Sequence, residues 1–326
     1  MIGFLTRSKR SAADAAIHSG DTYCFGRYLL TLPKGSTVKT QYIHGGAEVE
    51  THTGISPEGY LAMVDDKQHE LENTPHYDGG HMFVERDDIS DNQVVLVSWS
   101  SRAGRLIYRY IDFQYISEHG AVYVFVSKGN ATEEDRATAA EIQREYGGLL
   151  RYRKKFEIPL AEGFCIDEGL VMTSQLNREE VLAVISLPEK LDVTLVFESH
   201  VTRNPGIGSN RRPFLLRVLY FTAVKTLRNR RRKIGPLKGR ERLTRSRGWR
   251  QHKRAYTFEW KTPGKADDLA FPYMRVMLRH DVSDESGESS FSSDREALRL
   301  WDQLLNSLHI RPGAVGPKAV HTADKP

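Results

Sequence analysis

The chain has 326 residues, 39% of them hydrophobic and 27% charged, a composition of folded globular proteins that excludes the disordered and fibrous classes. No run approaches the roughly 20 apolar residues of a bilayer-spanning helix, and the length suggests two cores, since single cores stop growing near about 250–300 residues. The formal net charge of +5 is unevenly placed: residues 203–259 hold 18 Lys/Arg against two Glu, a net of +16, and the rest of the chain carries −11.

Residues 1–20 read as a leader in which Arg7, Lys9 and Arg10 follow a short apolar start, without the long apolar stretch of a secretory signal. A strand is expected over 23–32, ending at Pro33-Lys34-Gly35, where Pro removes a ladder donor and Gly permits the turn. A second, over 37–51, is broken at His44-Gly45-Gly46, a hairpin signal. Ser56 and Pro57 suit the cap and first position of a helix whose face carries Leu61, Val64, Gln68 and Leu71, with Met63 beside them. Residues 94–99, 106–116 and 121–126 read as an antiparallel meander. Thr132-Glu133-Glu134-Asp135 is close to a capping box and opens a helix to Tyr146, ended by Gly147-Gly148.

The second half starts again with strands over 164–166, 180–187 and 191–201. Residues 214–227 are apolar, with Arg217 and Lys225 spaced as on a helix that docks on a sheet, and Gly235-Pro236 and Gly239 mark a loop. Strands over 256–260 and 273–278 lead through an acidic, Ser-rich loop at 283–293 to a last helix, 292–308. Its inward face is Leu298, Trp301, Leu304, Leu305 and Leu308, and residues 312–326 read as a frayed tail. The halves share landmarks: a Cys, then Leu-Pro and a strand, then a closing capped helix. The expected fold is α+β, with two similar lobes over 21–148 and 164–311. Each lobe is a mainly antiparallel sheet packed with one or two helices, and residues 149–163 form a hinge between them.

No catalytic, cofactor or metal site is expected. The chain has no Gly-x-Ser-x-Gly elbow, no His-Glu-x-x-His, paired-Cys motif or phosphate loop, and Gly206-Ile207-Gly208 lacks the third glycine of a dinucleotide loop. His76 and His81 lie in a Pro/Gly loop without a fourth ligand and read as solvated. Cys24 and Cys165 read either as small buried apolar residues or as one bridge. The basic stretch has three readings. It is a solvated helix and loop balanced by acidic residues such as Asp284, Glu285 and Glu288. It is a nucleic-acid binder, with only Trp249 and Tyr256 for stacking. Or it docks an acidic protein or lipid surface. Its candidate partner-binding residues are Arg211, Arg212, Arg230, Arg231, Arg232, Lys233, Arg245, Arg247 and Trp249.

Tyr23-Cys24-Phe25-Gly26-Arg27-Tyr28-Leu29-Leu30 with Leu32-Pro33, then Glu48-Val49-Glu50 and Thr53-Gly54, resembles the opening of immunity proteins that neutralise lipase effectors of type VI secretion. Gly163-Phe164-Cys165-Ile166-Asp167-Glu168-Gly169 resembles the start of that family's C-terminal domain. Glu296-Ala297-Leu298, Trp301-Asp302, Leu308 and Arg311-Pro312-Gly313-Ala314-Val315 resemble its end. The resemblance implies an inhibitor rather than an enzyme. Such a protein is periplasmic and cofactor-free. It holds one cognate phospholipase between its two domains, and neither nucleic acid nor stable membrane insertion is involved. An export signal, which that location requires, is not visible in the leader, and the cytoplasm is the other location. The alternative function is a nucleic-acid or other polyanion binder using residues 203–254.

Overall fold

The computed structural model describes residues 20–129, 131–173, 178–201, 224–247, 254–280 and 290–316. Expectations for the leader, Arg211, Arg212, Trp249, the acidic residues at 284–288 and the tail beyond 316 lie outside the described residues.

The strand expected over 23–32 is a hairpin of β1 (Asp21–Phe25) and β2 (Tyr28–Leu32). Gly26 reverses the chain with a φ of 58°, a backbone conformation that favours glycine. A Cβ there would also lie 2.8 Å from Phe164 Cε2 and 2.9 Å from Val181 Cγ2. β3 (Thr37–His44) and β4 (Ala47–Thr53) form the expected hairpin, with φ of 60° and 86° at Gly45 and Gly46. Those are the two positive angles that a two-residue type I′ turn requires.

Helix α1 (Pro57–Asn73) begins as expected, with Ser56 Oγ accepting from the Gly59 N–H at 3.1 Å. Its buried residues are Tyr60, Val64 and Leu71, and Leu61 is exposed, so Tyr60 takes the place expected of Leu61 in the stripe meeting the sheet. The edge strand β5 (Phe83–Ser90) is not announced by the sequence, because Glu85-Arg86-Asp87-Asp88 breaks the apolar alternation. β6 (Gln93–Ser101), β7 (Gly104–Ile116) and β8 (Ala121–Ser127) are the expected meander. Val94 and Leu96 of β6 pack under α1, and Val95 and Val97 pack on the other face with Tyr108, Tyr110 and Ala139. Burial on both faces explains the unbroken apolar run.

Helix α2 (Arg136–Leu149) starts later than its box suggests. Thr132 N and Oγ1 donate to Asp135 Oδ2 at 3.1 and 2.8 Å, closing a turn ahead of the helix. Gly147 lies inside α2, where a Cβ would be 2.3 Å from Gln93 Oε1, so this glycine permits close approach and does not stop the helix. Of the two loop histidines, His81 is exposed, but His76 is buried and accepts from the Asp78 N–H at 3.1 Å, which corrects its reading as solvated.

In the second half β9 (Leu150–Tyr152), β10 (Phe164–Ile166) and β11 (Gly169–Val171) form a small sheet in the order β10-β11-β9. Then follow β12 (Glu179–Leu187), β13 (Lys190–His200), β14 (Val224–Ile234), β15 (Leu237–Arg247), β16 (Arg254–Thr262), β17 (Tyr273–His280), α3 (Asp294–Ser307) and β18 (His309–Ile310). Residues 224–227 are strand rather than the end of a helix, and the basic stretch that follows is a hairpin rather than a helix and loop. Its arginines alternate with a period of two. Gly235 and Pro236 make the turn, but Gly239 lies within β15, where a Cβ would be 2.3 Å from Trp260 Cε2.

The fold is α+β and built on one twelve-stranded sheet, in the order β14-β15-β16-β17-β13-β12-β3-β4-β8-β7-β6-β5. The chain's two halves join where β12 pairs β3, from Glu179 opposite His44 to Ser186 opposite Thr37. The sheet β1-β2-β18 packs on one face of that joint, and Phe25, Leu30 and Leu32 share a core with Val181, Ile185, Leu195 and Phe197. Further along the same core α3 buries Trp301, Leu304 and Leu305 against Leu243, Phe258 and Trp260, each such side chain contributing about 1.5–3 kcal/mol.

Three buried arginines fasten the chain around the joint. Arg27 makes a bidentate pair with Glu179, Nε–Oε2 at 2.9 Å and Nη2–Oε1 at 2.7 Å, and also donates to the carbonyls of Thr173 and Ala314. Arg153 donates to the carbonyls of Ile166, Lys155 and Glu157, and Arg311 to those of Pro159, Ala161 and Gly163. The segment expected as a hinge therefore has much of its backbone bound. In the expected tail Ala314 is buried and its carbonyl is held by Arg27, while Pro312 and Gly313 are exposed. Burial, with Arg27 nearby, lowers the His44 imidazole to about 3 and keeps it neutral.

Cys24 and Cys165 are disulfide-bonded, which settles the two readings of this pair in favour of the bridge. Beside it the Gly26 and Cys165 backbones exchange two hydrogen bonds of 3.0 and 2.8 Å. The bond closes a sequence separation of 141 residues, and opening it costs about 2–5 kcal/mol. Thermal unfolding with and without reductant checks this: reduced protein and the Cys24→Ser/Cys165→Ser variant unfold at the same lowered Tm. An unchanged Tm contradicts it.

Candidate partner interface

Alternation gives the C-terminal part of the large sheet two unlike faces. Toward α3, β15 and β16 present Glu241, Leu243, Tyr256, Phe258 and Trp260, all buried. Charged groups on this face are paired within the chain. Glu241, with no solvent exposure, accepts from Arg230 Nε at 2.8 Å, Arg232 Nη1 at 2.7 Å and the Trp301 indole at 2.7 Å. Asp302 of α3 takes Arg228 bidentately at 2.7 and 3.0 Å and Arg232 at 2.8 Å. Asp294 takes Arg245 at 2.8 and 2.9 Å and the Tyr256 hydroxyl at 2.9 Å. Burial pushes the Glu241 carboxyl up, but the indole and the guanidinium groups outweigh it and hold it below the ordinary range. Asp302 and Asp294 are lowered in the same way, by Arg228 and by Tyr256 with Arg245.

The opposite face is open. Arg231 stands directly opposite Arg240, Arg240 opposite Lys261 and Lys261 opposite Arg275, so one row crosses β14 to β17 with a cation on every strand. Neighbouring strands lie about 4.8 Å apart, and like charges in directly opposed positions destabilise a sheet. Lys233 similarly faces Lys238. Glu259 answers part of this charge, accepting from Arg275 at 2.6 Å with Lys261 Nζ 3.8 Å away. Next to the cations lies an apolar row in which Met277 opposes Val196 and Val196 opposes Val184. On the same face α1 covers Val94, Leu96 and Val124 of the first half. From β3 to β14 this face exposes Lys39, Val184, Arg240 and Thr257, while His200 and Tyr273 at one end of it are buried and stacked at 4.4 Å.

The residues expected to bind a partner thus separate. Arg230, Arg232 and Arg245 face α3 and are paired inside the chain, Arg231 and Lys233 face outward, and Arg247 ends β15. Arg240, Arg242, Lys261 and Arg275 belong to the outward set and were not among the expected residues. The signal for them is the every-second-residue spacing of Lys238, Arg240 and Arg242, which is informative once the segment is known to be a strand. Among the described residues no group of His, Cys, Asp and Glu could hold a metal ion.

Residues 157–313 match the family model described as the Tle cognate immunity protein 4 C-terminal domain. The match begins in the arginine-bound segment and ends at Gly313, beside the Ala314 carbonyl that Arg27 holds. The chain is also similar to the apo structure of the immunity protein TplEi of the type VI secretion system from Pseudomonas aeruginosa. Identity is 28%, coverage 90% of this chain and 98% of that one, and the TM-score 0.77. It is similar to a chain of the Tle4-Tli4 complex, with 28% identity, 91% and 99% coverage and a TM-score of 0.78. The TplEi structure complexed with "L" peptide gives 28%, 91%, 99% and 0.74. No curated protein sequence matches. The matched family model and both TplEi structures are described as immunity proteins.

The pairing of Glu241 sets a stability prediction. Glu241→Gln removes charge-assisted bonds worth about 1.5–3 kcal/mol, whereas Arg231→Glu on the open face changes stability by no more than about 0.5 kcal/mol. Carboxyls lowered in the folded state stabilise above their ordinary range, and that stability is lost as pH falls through the folded values. Urea unfolding of wild type therefore shows a loss between neutral pH and pH about 3, and Glu241→Gln shows a smaller one. Equal stability of Glu241→Gln and wild type at pH 7 contradicts this.

Proposed function

We propose that this protein is the immunity protein of a type VI lipase effector. It binds its cognate effector one to one and holds it between lobes 21–148 and 164–311, keeping the lipase active site from phospholipid. The observation that carries this is similarity over nine-tenths of the chain to immunity proteins, one of them solved in the Tle4-Tli4 complex. One twelve-stranded sheet shared by both halves offers a long surface for the task, since standard protein interfaces bury about 1,600 Å² in total.

A periplasmic location is part of the proposal. Disulfides form and persist in oxidising compartments such as the periplasm, and the Cys24–Cys165 bond supports that setting. No helix among the described residues is long and apolar enough to cross a membrane.

The test mixes the purified protein with the lipase encoded beside it and follows phospholipid hydrolysis and complex mass. Hydrolysis falls to background at equimolar ratio, and the complex has the mass of one copy of each. Undiminished hydrolysis with no complex overturns the proposal.

A further inference from the structure

We infer that the open face of β14 to β17 is where the effector docks, through a surface rich in carboxylates beside an apolar centre; this rests on the proposed function. The chain itself distinguishes the two faces of this sheet. Toward α3 it supplies Glu241, Asp294 and Asp302, so Arg228, Arg230, Arg232 and Arg245 each have a carboxylate of their own chain. On the other side Arg231, Arg240, Lys261 and Arg275 oppose one another across four strands, with Glu259 beside the last two. Such a row is unfavourable in the free protein, and acidic groups from outside relieve it.

The occupant is a protein surface for three reasons. First, the cations border the apolar row Val184, Val196 and Met277, and an apolar centre with a charged rim is the anatomy of a protein interface. Second, among the described residues this stretch of the open face carries no exposed aromatic ring: Tyr256, Phe258 and Trp260 of β16 turn inward, and Tyr273, which shares the open face with Arg275, is buried and stacked on His200 at 4.4 Å. Single-stranded nucleic acid is gripped by stacking on such rings. Third, Val196 and Met277 lie half-buried within the pleat, whereas faces that enter a lipid surface bury apolar side chains about 5–10 Å deep. The row is also continuous with the β3–β12 joint, so a partner seated here reaches both halves of the chain.

The test is the double reversal Arg240→Glu/Lys261→Glu in the full chain, titrated with the co-encoded lipase at low and high salt. Association of the variant at low salt is about ten- to a hundredfold slower than that of wild type, its affinity depends less on salt, and its Tm stays near wild type. Should the double variant fail to fold, the single Arg231→Glu variant shows the same loss to a smaller degree. Unchanged affinity and salt dependence in a variant, while wild type still inhibits, overturn the docking face and leave the proposed function standing. Wild type that neither binds nor inhibits overturns the proposed function and the docking face with it. A third arm uses phosphatidylglycerol vesicles without lipase. Binding of wild type that the reversal abolishes, with lipase affinity unchanged, makes lipid the occupant and overturns the inference.

Discussion

The bidentate pair of Arg27 with Glu179 is the contact on which the architecture turns. Glu179 opens β12, opposite His44 at the end of β3, and Arg27 stands in the tight turn between β1 and β2. One guanidinium thus ties the first hairpin, the joint between the halves, and the carbonyls of Thr173 and Ala314. Both partners are almost fully buried, at 2% and 3% exposure, and desolvation makes such a pair costly unless its geometry is close to ideal. Burial raises the Glu179 carboxyl and Arg27 opposes that shift. Removing either partner strands a buried charge, which typically costs about 3–5 kcal/mol.

Around that contact the remaining fastenings follow the same logic. The disulfide and the Gly26–Cys165 backbone bonds hold the first hairpin to β10. Arg153 and Arg311 satisfy carbonyls of the chain between β9 and β10, which has few ladder partners of its own. Backbone carbonyls buried without partners are expensive, and an arginine with five donors is well suited to collect several of them. The consequence for function is a large sheet whose two halves share one surface, one face committed to the core and to α3, the other exposing Lys39, Val184, Arg240 and Thr257.

The elements that sequence showed best are those whose periodicity is decided by local burial: α1, the β6–β8 meander, the last helix and the His44-Gly45-Gly46 hairpin. The basic stretch reads as a solvated helix in sequence because Arg, Lys and Thr carry no apolar alternation, although it is a strand with arginines on both faces. Only the partner strands reveal which arginines meet Glu241 and which meet solvent. The motif around Cys24 and that around Cys165 were visible as separate landmarks, and their meaning is mutual: Cys24 bonds Cys165, Gly26 leaves room for Phe164, and Arg27 waits for Glu179. Contacts across 138 to 152 residues have no local signature. Gly147 and Gly239, taken for a helix stop and a loop, are close-approach positions whose reason lies in Gln93 and Trp260.

What most directly probes the central idea, that one face of the shared sheet holds the fold and the other holds the partner, is the structure of this chain bound to its lipase. Arg240 and Lys261 then lie within about 4 Å of effector carboxylates, with Val184 and Met277 covered and the Arg27–Glu179 pair intact. A complex in which the β14–β17 face stays in solvent contradicts it.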